Sequence, residues 1–200
     1  EVGSDILIVF AYGKIIPKDI FELPTYGSIN VHTSILPKYR GAAPIQRAII
    51  NGEKFTGITF MKLSEGLDEG PIIESFKVAI EEEETSGSLA EKMAKVSSNK
   101  ILQTIENIEL NDIKLIEQDH SKATYANKID KEEGRIDWND KAENIIGKIN
   151  GLYPAPGAWF YFDGARYKIL KASISKNSAT PGKVINDNIE VSCGTNSIKI

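Results

Sequence analysis

The apolar positions change their period along the chain. Residues 5–11, Asp-Ile-Leu-Ile-Val-Phe-Ala, form one apolar run between Asp5 and Gly13, the pattern of a strand covered on both faces in a parallel sheet. A second strand is predicted over 27–33, Gly-Ser-Ile-Asn-Val-His-Thr, with a short helix over 17–23 opened by Pro17. These make one βαβ unit, and one unit cannot bury a parallel sheet. The pattern therefore predicts further strands ahead of residue 5. Pro44–Asn51 reads as a helix closed by Gly52, and Thr56–Leu63 and Pro71–Ile80 read as strands joined by the loop 64–70. Ser88 and Glu91 have capping-box spacing, and Leu89, Met93, Val96, Ile101, Ile105 and Ile108 follow as a helical stripe. Such a stripe is core packing.

The pattern then changes. Residues 119–140 are polar and read as a linker, with a helix following over about 141–150. Beyond it the period is two: Trp159–Phe162 and Arg166–Ala172 flank Asp163-Gly164, a two-residue hairpin signal. Gly182–Ile185, Ile189–Ser192 and a run from Ser197 continue as short strands, the spacing of a small barrel. The expected organisation is a partial α/β domain over 1–118, the linker 119–140, and an incomplete β-barrel unit over 141–200, with both ends of the chain reading as cut.

Composition adds exclusions. The chain is 41% apolar and 26% charged, ordinary for a globular protein. No apolar run reaches the eighteen or more residues of a membrane helix, and residues 1–5 lack a signal-peptide start. One cysteine, Cys193, excludes an internal disulfide, and two histidines exclude a Cys/His zinc site. The expectation is a reduced, cytoplasmic, monomeric protein that needs no metal. The net charge of −4 divides unevenly: residues 1–120 carry 12 Lys and Arg against 19 Asp and Glu, net −7, and residues 121–200 carry 12 against 9, net +3. A mild basic excess points weakly toward nucleic acid.

The candidate chemistry starts at Asn30 and His32, which project from one face of their strand because side chains alternate. The loop Ser34-Ile-Leu-Pro-Lys-Tyr-Arg-Gly-Ala-Ala-Pro44 follows at the C-terminal edge of a parallel strand, where open α/β sheets bind ligands. A histidine on an apolar strand is often structural, and Asp68 in Leu67-Asp-Glu-Gly70 often only makes a turn. If the loop instead returns Asp68 to His32, the three groups suit acyl or formyl transfer: an amide donor for an oxyanion, an imidazole to move protons, a carboxylate to hold the ring. Phosphate-cradling GxGxxG and GxxxxGK[ST] loops are missing from the sequence, as is a nucleophile-elbow serine. His120 reads as a solvent-exposed ring, and Cys193 as packing.

These residues resemble a known family. Asn30-Val-His32, Ser34-Ile-Leu-Pro-Lys-Tyr-Arg-Gly41 and Gly66-Leu-Asp-Glu-Gly70 are similar to the signature of the folate-dependent formyltransferases. Ala42-Ala-Pro-Ile-Gln46, Gly134-Arg-Ile-Asp-Trp138 and Pro154-Ala-Pro-Gly-Ala-Trp159 resemble the branch that acts on methionyl-tRNA. The resemblance implies a Rossmann-like catalytic domain joined to an OB-like domain. It implies 10-formyltetrahydrofolate as formyl donor and methionyl initiator tRNA as acceptor, with direct attack of the amine through a tetrahedral intermediate. By the same resemblance Asn30, His32 and Asp68 are catalytic. Ser34, Ile35, Leu36 and Pro37 line the folate site, and Tyr12 and Gly13 form the wall of the pterin pocket. Arg40, Lys122, Lys128 and Lys131 meet the tRNA. Two other readings stand beside this one: a formyltransferase acting on an amino-sugar nucleotide, and an RNA-binding protein whose α/β part is a scaffold. A purine-pathway transformylase fits less well, because that branch has no β-rich appendage.

Overall fold

The computed structural model describes residues 3–200. It divides into two compact units, residues 3–45, 55–79 and 90–128 in the first and residues 46–54, 80–89 and 129–200 in the second.

The first unit is built on a four-stranded sheet with the order β1 (Leu7–Val9), β2 (Ser28–His32), β3 (Phe55–Lys62), β4 (Ile72–Ala79). β1 and β2 run parallel, connected through α1 (Lys18–Phe21), which starts after Pro17. β3 and β4 return antiparallel, pairing His32 with Thr59 and Asn30 with Met61. β2 is central and almost wholly buried, as its run Ser-Ile-Asn-Val-His requires, with Ile29 at 0% exposure. The apolar run at 5–11 behaves otherwise. Only Leu7–Val9 is a strand, at the sheet's edge, and Ile8 and Phe10 are 39% and 49% exposed. Among the described residues β1 has one strand neighbour, β2, which leaves Ile8 and Phe10 open in this chain.

The helix expected to close at Gly52 is α2 (Pro44–Ile50), and the long helix α3 (Ser86–Glu109) carries the expected stripe, with Leu89, Met93 and Ile108 buried. It begins earlier than Ser88. The Thr85 N–H donates to Ser88 Oγ and the Ser88 N–H to Thr85 Oγ1, a reciprocal pair that satisfies two first-turn donors one turn ahead of the expected box. Past its end at Glu109, Asn111 takes φ +56, which lets the Asp112 N–H reach the Asn107 carbonyl.

Residues 119–128, expected as linker, belong to the first unit. Tyr125 bridges to Arg40, and main-chain bonds run from Arg40 N–H to Thr124 O, from Ala126 N–H to Arg40 O and from Ala43 N–H to Ala126 O. A polar composition does not reveal such a segment, because its attachment is through the backbone.

In the second unit, α4 (Ala142–Leu152) packs against strands of an OB-like β region. β5 (Ala158–Phe162) and β6 (Ala165–Ile169) form the expected hairpin, with φ of +47 at Asp163 and +75 at Gly164 as its type I′ turn demands. β7 (Ser173–Ser175), β8 (Val184–Asn186), β9 (Glu190–Ser192) and β10 (Ser197–Lys199) form an antiparallel sheet in the order β7-β10-β9-β8. Ile136, Ala142, Ile145, Ile149, Ala158, Ile169, Cys193 and Ile198 make the core. The two tail motifs meet there. The Ile136 N–H bonds the Trp159 carbonyl, the Trp159 indole donates to Lys131 O, and a methyl at Gly134 would lie 2.5 Å from Gly157 O. The buried Glu190 carboxylate is held by Ser197, Asn177 and Asn186.

Candidate active site

The site of interest lies wholly in the first unit. Strand alternation puts Asn30 and His32 on one face of β2, two residues apart. The loop between β3 and β4 brings Asp68 to them. Its approach is fixed by Gly70, which passes so near β3 that a Cβ there would sit 1.9 Å from the Lys62 carbonyl oxygen. Asp68 itself takes φ +51, a left-handed conformation that Asp tolerates better than most residues.

The Asp68 carboxylate, with a side chain 14% exposed, has three neighbours. Asn30 Nδ2 donates to Oδ1 at 3.2 Å, the Gly41 N–H donates to Oδ2 at 2.7 Å, and His32 Nδ1 lies 3.5 Å from Oδ2. His32 is 5% exposed, and its Nε2 is 2.8 Å from the Tyr39 carbonyl oxygen. A carbonyl only accepts, so Nε2 carries a hydrogen and Nδ1 is the nitrogen left to exchange a proton. Asn30 has two amide hydrogens and gives one to Asp68, which leaves a second donor on the half-buried edge of β2.

The loop 34–43 is held from below. Thr59, fully buried opposite His32, donates to Ser34 O and accepts from the Leu36 N–H. Ser34 is 0% exposed and its hydroxyl donates to Lys38 O, and Leu36 is 4% exposed, so these two shape the loop from inside. Ile35 and Pro37 are half-buried. Tyr12 is exposed and lines an apolar cavity of about 330 Å³ with Leu7, Val9, Phe10 and Ile16, while Gly13 stands in open space with φ +70. Asn30, His32 and Asp68 are not in that lining.

The basic residues separate. Arg40, expected to meet tRNA, is 1% exposed and cannot reach a phosphate. Its Nε and Nη2 donate to Gln118 Oε1 at 3.1 and 2.7 Å, and its Nη1 to Glu69 at 3.3 Å. His120 is exposed as expected, yet its Nδ1 accepts from Arg40 at 3.3 Å. Lys122 is exposed and paired with Asp119 at 2.8 Å; that contact and Ser121 hold the Asp119 carboxyl at about 2. Lys128 and Lys131 are exposed. Gln118, Thr59, the Tyr39 carbonyl and the Gly41 amide were not singled out by sequence. Only Gly41, with φ +111, left a trace there, as a glycine inside the loop signature. Among the described residues no group of three His, Cys, Asp or Glu side chains could hold a metal, and no helix is long and apolar enough to cross a membrane.

Comparison with known proteins bears on this arrangement. The sequence profile of the family "Formyl transferase" matches residues 1–105, and that of "Formyl transferase, C-terminal domain" matches residues 128–200. The chain is 51% identical to a methionyl-tRNA formyltransferase of Pelagibacter ubique, covering 100% of this chain and 65% of that one. It is 43% identical to the enzyme of the same name from Thermodesulfovibrio yellowstonii, over 98% of this chain and 63% of the relative. The chain thus spans less than two thirds of the length of these curated relatives. HypX from Aquifex aeolicus, solved in complex with tetrahydrofolic acid, shares the fold with a TM-score of 0.79 and 20% identity, over 97% of this chain and 34% of that one. So does WlaRD, a sugar 3N-formyl transferase, with a TM-score of 0.77 and 21% identity, over 96% and 70%.

Proposed function

Because the chain belongs to the formyl transferase family, we propose that the whole protein transfers the formyl group of 10-formyltetrahydrofolate to the α-amine of methionyl initiator tRNA in the cytoplasm. The observation that carries the reading is the convergence on Asp68, with Asn30 Nδ2 at 3.2 Å and His32 Nδ1 at 3.5 Å. The name shared by the relatives supports the tRNA as acceptor.

The neutral amine attacks the formyl carbon, and the carbonyl oxygen becomes an oxyanion. The second amide hydrogen of Asn30 is aimed at that charge, a contribution of about 10²–10³ in rate for one such donor. The new N–C bond forms, the bond from the formyl carbon to the folate nitrogen breaks, and one proton passes from the attacking nitrogen to the departing one. His32 Nδ1 carries that proton, since Nε2–H is committed to the Tyr39 carbonyl. Asp68 stabilises the ring while it is charged, as the third member of a triad does. Ile35, Pro37 and the Tyr12 cavity are the chain's surface for the folate. A cavity of about 330 Å³ with aromatic and aliphatic walls suits a flat heterocycle. The exposed lysines Lys122, Lys128 and Lys131 are the cations we assign to tRNA phosphates.

The test supplies full-length gene product with 10-formyltetrahydrofolate and, in separate reactions, methionyl initiator tRNA or an amino-sugar nucleotide. Transfer to the tRNA alone is expected. Transfer to the sugar alone would keep the chemistry and overturn the acceptor. Transfer to neither, with tRNA binding but no folate binding, would favour the scaffold reading.

A further inference from the structure

We infer that Gln118, held by the buried Arg40, is a positioning residue for Asp68. The inference rests on the reading of Asp68 as part of the formyl-transfer site.

Gln118 is 5% exposed and its amide is fully used. Its Nε2 donates to the carbonyl of Asp68 at 2.8 Å and to that of Gly70 at 2.7 Å, on either side of Glu69. Its Oε1 accepts two hydrogens from Arg40. The orientation has one solution, because a flipped amide would set an oxygen against two carbonyls and hydrogens against a guanidinium. Arg40 is fixed in turn by Glu69, by His120 and by main-chain bonds to Thr124 and Ala126. The next residue, Gly41, donates its N–H to the Asp68 carboxylate.

Asp68 is therefore gripped at both ends by neighbouring parts of one assembly: its carboxylate by Gly41 and Asn30, its carbonyl by Gln118. That grip holds a backbone at φ +51, a left-handed conformation that costs even an Asp something and that the surrounding contacts keep in place. Letting go of the carbonyl frees the loop to relax and draws the carboxylate away from His32 and Asn30. Gln118 touches no reacting atom in this account and acts only through Asp68.

The experiment uses the full-length protein with Gln118→Met, which keeps the length and removes both donors and the acceptor. Gln118→Glu serves as a second variant, keeping the acceptor for Arg40 while removing the donors. Met93→Ala, a buried helix position outside the site, controls for stability alone. The expected result for both Gln118 variants is a fall in kcat of about a hundredfold, the scale of a misplacement of about 1 Å, with KM for both substrates within about twofold. Hydrogen exchange at the Gly41 amide, which reports whether the Asp68 carboxylate stays seated, is expected to quicken about tenfold, one hydrogen bond's worth. In Met93→Ala both quantities stay at the wild-type value. Wild-type kcat or unchanged Gly41 exchange in the Gln118 variants would overturn the inference, as would equal changes in Met93→Ala. If the wild-type protein transfers no formyl group, the functional reading has failed, and the exchange measurement still decides whether Gln118 seats Asp68.

Discussion

Replacing Asp68 by Asn removes a charge and changes almost nothing in volume. The carboxylate faces His32 Nδ1 at 3.5 Å with 14% of its side chain exposed. At an effective dielectric near 20, a full charge pair at that distance is worth about 5 kcal/mol. The amide oxygen retains part of this, so a loss of about half is the working figure. That alone corresponds to about 10²-fold in kcat. A second cost follows from the donors around the group. Gly41 N–H and Asn30 Nδ2 both need acceptors, and an amide presents one oxygen and one NH₂. The main-chain donor cannot turn, so the NH₂ takes the Asn30 side and forces that side chain to reverse. An unmet donor costs about 1–3 kcal/mol. Together the two costs make the expected fall in kcat about 10³–10⁴, and the unmet donor lowers the thermal midpoint by a few degrees. Single-turnover formyl transfer by the full-length protein, at saturating folate and tRNA, measures it. A variant within about threefold of wild type, a tenth or less of the smallest fall expected, would refute the role given to the charge.

Gly70→Ala brings a Cβ to 1.9 Å from Lys62 O, where ordinary contact begins at 3.4 Å. The loop must give way by a comparable distance, and the expected outcome is a loss of about 1–3 kcal/mol by chemical denaturation with kcat down about 10²-fold. Glu190 is held at about 2, first by Ser197, then by Ser175, Asn186 and Asn177, against the opposing effect of burial. A carboxyl lowered on folding stabilises the fold above its unfolded value of 4.5 and loses that contribution as the pH falls from there toward 2. Glu190→Gln should thus melt below wild type at pH 7, with the gap closing toward pH 2; a gap independent of pH would contradict this. Arg47 grips Glu133 through two bonds of 2.6 and 3.0 Å while Glu133 caps the 3₁₀ turn at Lys131–Gly134. Arg47→Lys keeps the charge and loses the fork, so a drop of up to about 1 kcal/mol is expected in urea unfolding.

The fold was legible where the chemistry is local. Asp163-Gly164 announces its turn, Gly52 its helix end, and the stripe from Leu89 to Ile108 its buried face, because each depends on residues a few positions apart. Asn30 and His32 were legible as a pair for the same reason. Arg40 was misread, since an arginine in a polar loop is ordinarily at the surface. Its burial depends on Gln118, 78 residues away, and no periodicity marks that glutamine. Residues 119–128 read as linker in sequence because attachment through main-chain bonds to Arg40 and Ala43 leaves no side-chain pattern to find.

Between residues 39 and 41 the main chain supplies one acceptor, to His32 Nε2, and one donor, to Asp68 Oδ2. Neither group belongs to a side chain, so a substitution scan passes over both. What specifies them is the curvature of three residues, with φ of +59 at Tyr39 and +111 at Gly41. The ring's tautomer is thus written in the path of the loop. An insertion or deletion of one residue there would disarm the site more surely than exchange of the exposed Lys38, and a site of this kind is inherited as a loop length as much as a set of residues.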